Sequence, residues 1–379
     1  MIQKIGLVLF GGLILSGCSL SSIGTPVVTN QVSPNGVPLA NIQKGSIWKS
    51  ADAGQSFAPQ SKVDEKNQIT AANVLALSFD PSNTKTLYAG TVDNGIFKTE
   101  NGAETWTPIV FPPKKIYSFF VDRSRTQVMF ASGVLGNHGK IYRTEDGGIT
   151  WKDVYTEPGD NIVVTAIAQH PRDNNVIFAG TSGGTVVKST DAGTTWHNVG
   201  NKVDGPVLDI LFDAKLGFSV YLLVHDVKMY YSSDGGENWQ DWETVKLAEE
   251  ASSKLTSDQV KERQLRIAPT KMIALSTSPN ASGVVYAANI GGLYKSTDFG
   301  KFWDKVNIIE SASKFPIRSI ALHPTDPHEL SFVSGAVFYK TVDAGKNWLV
   351  PPLNIDRAVS VVTYDPLDSK NIYIALRKF

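Results

Sequence analysis

Short runs in which apolar and polar residues alternate recur along the chain, among them Gly95-Ile-Phe-Lys98, Lys140-Ile-Tyr-Arg143 and Gly292-Leu-Tyr-Lys295. Alternation with a period of two, bounded by turn formers, predicts half-buried β-strands rather than helices. A second pattern lies between these runs. It reads Val74-Leu-Ala-Leu-Ser-Phe-Asp-Pro81 then Thr86-Leu-Tyr-Ala-Gly90, Val164-Thr-Ala-Ile-Ala-Gln-His-Pro171 then Val176-Ile-Phe-Ala-Gly180, and Ile317-Arg-Ser-Ile-Ala-Leu-His-Pro324 then Glu329-Leu-Ser-Phe-Val333. Each is a strand, a turn rich in Pro, Asp and Asn, and a second strand.

Each alternating run leads into a phrase of the form Ser/Thr-x-Asp-x-Gly-x-x-Trp. Seven copies occur, centred on Asp52, Asn101, Asp146, Asp191, Asp234, Asp298 and Asp343, with Phe57, Trp106, Trp151, Trp196, Trp239, Trp303 and Trp348 closing them. Successive copies are 49, 45, 45, 43, 64 and 45 residues apart. So regular a period marks an array of one supersecondary unit. In a tight turn the Asp side chain accepts backbone N–H groups, and the Gly two residues later supplies the positive φ that closes a hairpin. The Trp is predicted to pack between neighbouring units, its N–H on a backbone acceptor. Asn101 keeps the acceptor in the second copy, where Ala103 replaces the Gly and Gly102 stands beside it. Six copies carry Lys or Arg three residues before the Asp, and the other carries Tyr231. A solvated strand position with a snorkelling stem accounts for that row as well as an anionic ligand does.

Four short antiparallel strands per unit make one blade of a propeller. The chain ends complement each other. The first phrase, Ser50 to Phe57, has no strand pair before it, and the last is followed by an orphan pair, Ala358-Val-Ser-Val-Val-Thr-Tyr-Asp-Pro366 and Asn371-Ile-Tyr-Ile-Ala375. The expected fold is therefore all-β: a seven-bladed β-propeller of four-stranded antiparallel blades, closed by N- and C-terminal strands sharing one blade.

The phrase resembles the Asp-box, or BNR, repeat, and the resemblance covers roughly residues 45–376. It is specific for fold and diffuse for function, because Asp-box propellers include sialidases, xyloglucanases, sortilin-type receptors and the photosystem II assembly factor. The even hairpin phrase with Tyr-Ala-Gly strands looks most like the last three. What that implies is a scaffold recognising a protein or polysaccharide partner on the loops that join blades; the alternative is a glycoside hydrolase or carbohydrate-binding protein, more xyloglucanase-like than sialidase-like.

Charge is balanced at 36 basic against 36 acidic residues with no basic block, which argues against nucleic acid as a partner. Residues 1–17 read as a secretory signal: a basic start ending at Lys4, an apolar run Ile5 to Leu15, then Ser16 and Gly17. Leu15-Ser-Gly-Cys18 resembles the bacterial lipobox, and Cys18 is the only cysteine. That resemblance implies cleavage before Cys18, acylation of Cys18, and an extracytoplasmic protein held to a membrane by lipid, the outer membrane if the cell is Gram-negative. The Ser-, Gly-, Pro- and Asn-rich segment 18–43 suits a flexible tether to a domain spanning 44–379. A charged insert at 241–271 accounts for the one long repeat step and is expected to be partly helical, with Ser257 capping a short helix.

The hairpin turns fall on the rim opposite the blade-joining loops, so their acids are expected to be structural. The loop rim instead holds Asp93, His138, Glu157, Asp160, Asp204, His225, Asp226, Asp356 and Arg357 as candidate binding residues. A glycosidase would need two carboxyls there, about 5 to 9 Å apart. No Arg-Ile-Pro phrase of the sialidase kind occurs among the nine arginines. The six histidines lack metal-ligand spacing and no phosphate-binding Gly-rich loop appears. No catalytic residue, metal or cofactor is assigned, and a monomer is expected.

Overall fold

A computed structural model describes residues 44–63, 69–113, 115–226, 229–241, 243, 256–259, 261, 266, 269–309 and 315–378. The signal-like segment, Cys18 and the tether lie outside the described residues, as does most of the 241–271 insert. Where the insert is described, the helical turn at 257–259 is capped by Thr256 rather than Ser257. The Gln259 N–H donates to Thr256 Oγ1 (3.4 Å) while Gln259 Oε1 accepts the Thr256 N–H (3.0 Å), a reciprocal capping box.

Seven antiparallel sheets form the ring. Six have four strands, and the seventh has three. In that sheet the outermost position is reduced to a single bridge between Lys340 and Leu349, because Pro351 and Pro352 follow and have no N–H to donate. The closure is the expected one. In blade 1 the strand Ile47–Ser50 pairs with Ile372–Arg377, Ile47 opposite Ala375 and Ser50 opposite Ile372, and Ala358–Tyr364 lies innermost. The innermost strands of blades 2 to 7 are Val74–Phe79, Ile116–Val121, Val164–Gln169, Val207–Phe212, Ala274–Thr277 and Ile317–Leu322. All but Ala274–Thr277 carry a bulge near the start, which tightens their twist around a central channel.

The core lies between blades. Every residue of the second strands Leu87–Thr91, Ile177–Thr181, Val220–Val224 and Leu330–Ser334 is buried, since each is covered on both faces. One apolar cluster joins Ile47 and Tyr373 of blade 1 to Leu87 and Trp106 of blade 2. Burying such a side chain contributes about 1.5 to 3 kcal/mol. The closing aromatics sit in these seams: Trp106 Nε1 donates to Gln60 O (2.8 Å) and Trp348 Nε1 to Asn307 O (3.0 Å), each in the preceding unit. Phe57 makes an edge contact with Phe338 across the same kind of seam. Trp196 and Trp303 donate within their own turns, and the buried N–H groups of Trp151 and Trp239 have no partner among the described residues.

All seven hairpin turns share one hydrogen-bond pattern. The Ser or Thr hydroxyl donates to Oδ1 of the Asp or Asn at 2.6–2.9 Å. That hydroxyl accepts the N–H two residues beyond the Asp at 2.8–3.0 Å. The Asp or Asn Oδ1 accepts the N–H four residues on at 2.8–3.0 Å. These bonds stabilise the ionised form: the Ser50 hydroxyl, then Ser56, holds Asp52 at about 2, and the Thr195 hydroxyl does the same for Asp191. Two consecutive residues, rather than the Gly alone, adopt positive φ in every copy, as at Ala192 (57°) and Gly193 (81°) or Gly102 (71°) and Ala103 (76°). The residue after the Asp also donates its N–H to the turn between the two inner strands of its own blade, for example Ala192 to Asn175 O at 2.9 Å. Both kinds of turn therefore share one face.

Three members of the basic row clasp the next blade, while Lys98 and Arg143 pair with Glu100 and Glu145 of their own turns. Lys49 Nζ donates to Gly102 O (3.2 Å), Lys188 Nζ to Gly235 O (2.9 Å) and Lys340 Nζ to Ala53 O (2.8 Å), in each case the residue after the Asp or Asn of the next blade's turn. Lys49 and Lys188 also lie over the rings of Tyr373 and Phe178. The exception has a partner to match: Tyr231 meets the ring of Phe299, which occupies that same position in the next turn (5.7 Å).

Candidate functional site

The ring offers two faces and a channel. The face that carries the blade-joining loops, together with the hairpins between second and third strands, contains every sequence-selected candidate, but the structure groups few of them. His138 opens the third strand of blade 3; its Nδ1 lies 3.0 Å from Glu157 O and its Nε2 3.6 Å from Asp160 Oδ1. Glu157 is buried, its carboxylate accepting the Tyr155 hydroxyl (2.8 Å) and the Gly159 N–H (3.4 Å). It holds the loop in shape. Asp160 remains exposed. His225 and Asp226 form a local pair at 3.4 Å in an exposed turn, where Asp226 takes a positive φ of 57°. Asp93 and Asp204 are exposed on their own loops.

Arg357 departs from its expected place. It is 8 % exposed, and its guanidinium donates to Ala72 O (3.0 Å), Gly45 O (2.9 Å) and Thr70 O (2.7 Å), with Asp356 Oδ1 at 3.2 Å. These acceptors belong to chain segments about three hundred residues away that meet at the closing seam. Arg357 thus ties the ring shut, and Asp356 is drawn with it.

Among the described residues, no group of three or more His, Cys, Asp or Glu side chains is arranged to hold a metal. No described helix is long and apolar enough to cross a membrane.

The central channel is the feature that sequence reasoning missed. At its other end, beside the hairpin turns, it widens into a cavity of about 650 Å³ lined by innermost strands of blades 2 to 6. Small polar residues seal the gaps between neighbouring innermost strands around the ring: the Ile167 N–H donates to Ser118 Oγ (3.0 Å), Ser360 Oγ of blade 1 to Val74 O (2.8 Å) and Thr277 Oγ1 to Phe212 O (2.9 Å). Asp209 breaks the pattern. At the position following the bulge it stands where the other bulged strands carry Ala76, Ser118, Ala166, Ser319 and Val361. Its carboxylate faces the open channel and accepts the Ile210 N–H at 2.9 Å, while the surrounding ring of protein displaces bulk water and pushes its pKa up to about 6. Aligning the seven innermost strands would have exposed this single acid.

With this geometry in hand, comparison with known proteins is informative about fold. The sequence model of the Sortilin-Vps10 family (sortilin, neurotensin receptor 3) matches residues 139–243. The oligoxyloglucan-reducing end-specific xyloglucanase of Emericella nidulans is 22 % identical over 421 residues, covering 93 % of this chain and 49 % of the enzyme. Xyloglucanase Xgh74A of Acetivibrio thermocellus is 27 % identical over 207 residues, 43 % of this chain and 24 % of that protein. The chain thus spans half or less of the length of these curated relatives. Among solved structures, the GH74 xyloglucanase of Xanthomonas campestris superposes with a TM-score of 0.62 at 16 % identity, over 81 % of this chain and 51 % of the enzyme. YCF48 bound to D1 peptide superposes with a TM-score of 0.59 at 14 % identity, over 83 % of this chain and 99 % of YCF48. YCF48 of Cyanidioschyzon merolae gives a TM-score of 0.58 at 15 % identity, over 82 % of this chain and 97 % of that one. What this chain shares with all of them is the propeller.

Proposed function

We propose that this protein is a lipid-anchored, extracytoplasmic binding scaffold whose blade-joining loops hold a protein partner. The observation that carries this reading is the state of the loop-face carboxylates. Glu157 is committed to its own loop, Asp160 and Asp226 lie beside histidines, and Asp356 lies against Arg357, so these four acids are engaged locally rather than held free as the opposed pair that glycoside hydrolysis uses. A single ring also corresponds to nearly the whole of YCF48, which binds a peptide of D1, and to half of the xyloglucanase structure. The lipid anchor rests on the resemblance of Leu15-Ser-Gly-Cys18 to a lipobox.

The sequence identity to xyloglucanases supports a second reading, one half of a polysaccharide-cleaving cleft. Incubating the purified 44–379 ring with xyloglucan and assaying new reducing ends separates the two. The scaffold reading expects no release above a heat-treated control, and sustained release would transfer the proposal to hydrolysis. Asp93→Ala and deletion of 243–268 are expected to weaken partner capture in envelope fractions with unchanged circular dichroism. Cys18→Ala is expected to abolish incorporation of labelled fatty acid and to release the protein from membranes; full membrane retention would sink the anchor.

A further inference from the structure

The dipeptide Asn-Gly occurs three times in the chain, at Asn35, Asn94 and Asn101, and the last two fall among the described residues. Both belong to blade 2, at opposite ends of its third strand Ile96–Thr99, so one blade presents the same chemistry in two settings. A glycine after asparagine has no side chain to block approach of its main-chain nitrogen to the asparagine amide. How firmly the amide and the following N–H are held then decides whether they meet.

Asn101 is fixed on both polar atoms of its side chain. Its Oδ1 accepts the Thr99 hydroxyl (2.9 Å) and the Thr105 N–H (3.0 Å), its Nδ2 donates to Thr105 Oγ1 (2.8 Å), and the Gly102 N–H donates to Lys85 O (2.8 Å). Asn94 stands exposed in the turn between the second and third strands, on the face of the blade-joining loops. Its own N–H donates to Thr91 Oγ1 (2.9 Å), and Gly95 O accepts the Thr91 N–H (3.0 Å) and hydroxyl (2.8 Å), which pins the ends of the turn. Among the described residues nothing bonds the Asn94 side-chain amide or the Gly95 N–H. The space beside Gly95 is open as well: apart from its chain neighbours, the nearest heavy atom to an added methyl is Ile109 O, at 4.0 Å.

We propose that Asn94 is a self-modification site. The Gly95 main-chain nitrogen, after giving its proton to water or hydroxide, attacks Asn94 Cγ; a C–N bond forms, and Nδ2 leaves with a proton from water as ammonia. The cyclic imide then adds a water at either carbonyl and opens to aspartate or isoaspartate, with no oxidant, reductant or cofactor taking part. Either product sets a second carboxylate beside Asp93, and isoaspartate also inserts an extra carbon into the main chain of the turn. The sequence balances 36 basic against 36 acidic residues, so conversion makes the protein net acidic. The face proposed for the partner thus changes its charge with the age of the molecule, while the held Asn101 preserves its hairpin. The reaction follows from the turn alone and does not depend on what that face binds.

The test incubates the full-length protein, folded, in mildly alkaline buffer made with heavy-oxygen water. Samples are digested in acid and mapped by mass spectrometry, and isoaspartate is counted with an isoaspartyl methyltransferase. Heavy oxygen enters only at residues converted during the incubation. Position 94 is expected to convert at least about ten-fold faster than position 101, since several hydrogen bonds must open before the Asn101 amide can turn and each is worth a several-fold factor. In the guanidinium-unfolded chain, where neither asparagine is held, the two positions are expected to convert at similar rates. Conversion at 94 no faster than at 101 in the folded protein would overturn the proposal. So would an intact Asn94 in the folded protein over a time in which the unfolded chain converts at both positions. The comparison uses the unaltered protein, so no variant has to fold, and either result would leave the loop-face reading untouched.

Discussion

Gly193 is the point at which the hairpin geometry and the inter-blade packing can be separated. A methyl added there would sit 2.5 Å from Phe130 Cε1 and 3.0 Å from Cζ, and Phe130 is itself stacked on Phe120. The φ of Gly193 is +81°, so alanine also meets the left-handed penalty of about 1–2 kcal/mol. Overpacking against a held ring adds about 1–3 kcal/mol. Gly193→Ala is therefore expected to destabilise the ring by about 2–5 kcal/mol, a large fraction of the roughly 5–15 kcal/mol typical of a folded protein. Gly136 supplies the control, with a φ of +66° and no atom within 4 Å of the place an added methyl would take. Gly136→Ala should show the backbone penalty alone, about 1–2 kcal/mol. Urea unfolding followed by tryptophan fluorescence measures both variants. Equal losses would refute the reasoning, since they would mean that the neighbouring blade does not press on the turn.

Other predictions follow from the clasps, the channel and the turns. Lys340 (side chain 5 % exposed) pairs with Glu329 (13 %) at 2.7 Å, so Lys340→Met should destabilise by about 3 kcal/mol by leaving a buried carboxylate unpaired, and Glu329→Gln added to it should recover part of the loss in a double-mutant cycle. Asp209 has a pKa raised to about 6, so the folded state holds its proton more tightly than the unfolded chain and stability falls as pH rises from about 4 to 6. Asp209→Asn should then melt higher than the parent at pH 7.5 and equally at pH 4, by a modest margin because the carboxylate meets channel water. Asp52, Asp191 and Asp343 are held at about 2, so their contribution is present above the ordinary carboxylate pKa and is lost as pH falls from about 4 toward 2. Acid melting curves of Asp191→Asn should show a shallower loss over that window than the parent.

The ring was legible because its signal is repeated. Seven copies of one turn phrase fix the blade, and the complementary half-blades at the ends predict the closure seen between Ile47–Ser50 and Ile372–Arg377. Local chemistry was legible for the same reason: Ser50, Asp52 and Gly54 bond within five residues of one another. What the sequence hid depends on distant partners. Lys49, Lys188 and Lys340 look like solvated strand positions until the next blade's turn is placed against them. Arg357 reads as a loop charge, yet its acceptors are some three hundred residues away in the chain. Asp209 reads as the polar member of an alternating strand, and its enclosure becomes visible only once seven strands surround one channel.

The central claim is that partner recognition belongs to the face of the blade-joining loops while the six hairpin acids and Asn101 hold the ring together. A photo-activated cross-linker placed singly at Asp93, Asp226 or Asp191 in the full-length protein, irradiated in the cells that produce it, tests it directly. The account predicts one recurrent protein adduct from positions 93 and 226 and none from 191. The same adduct from 191 alone would contradict it.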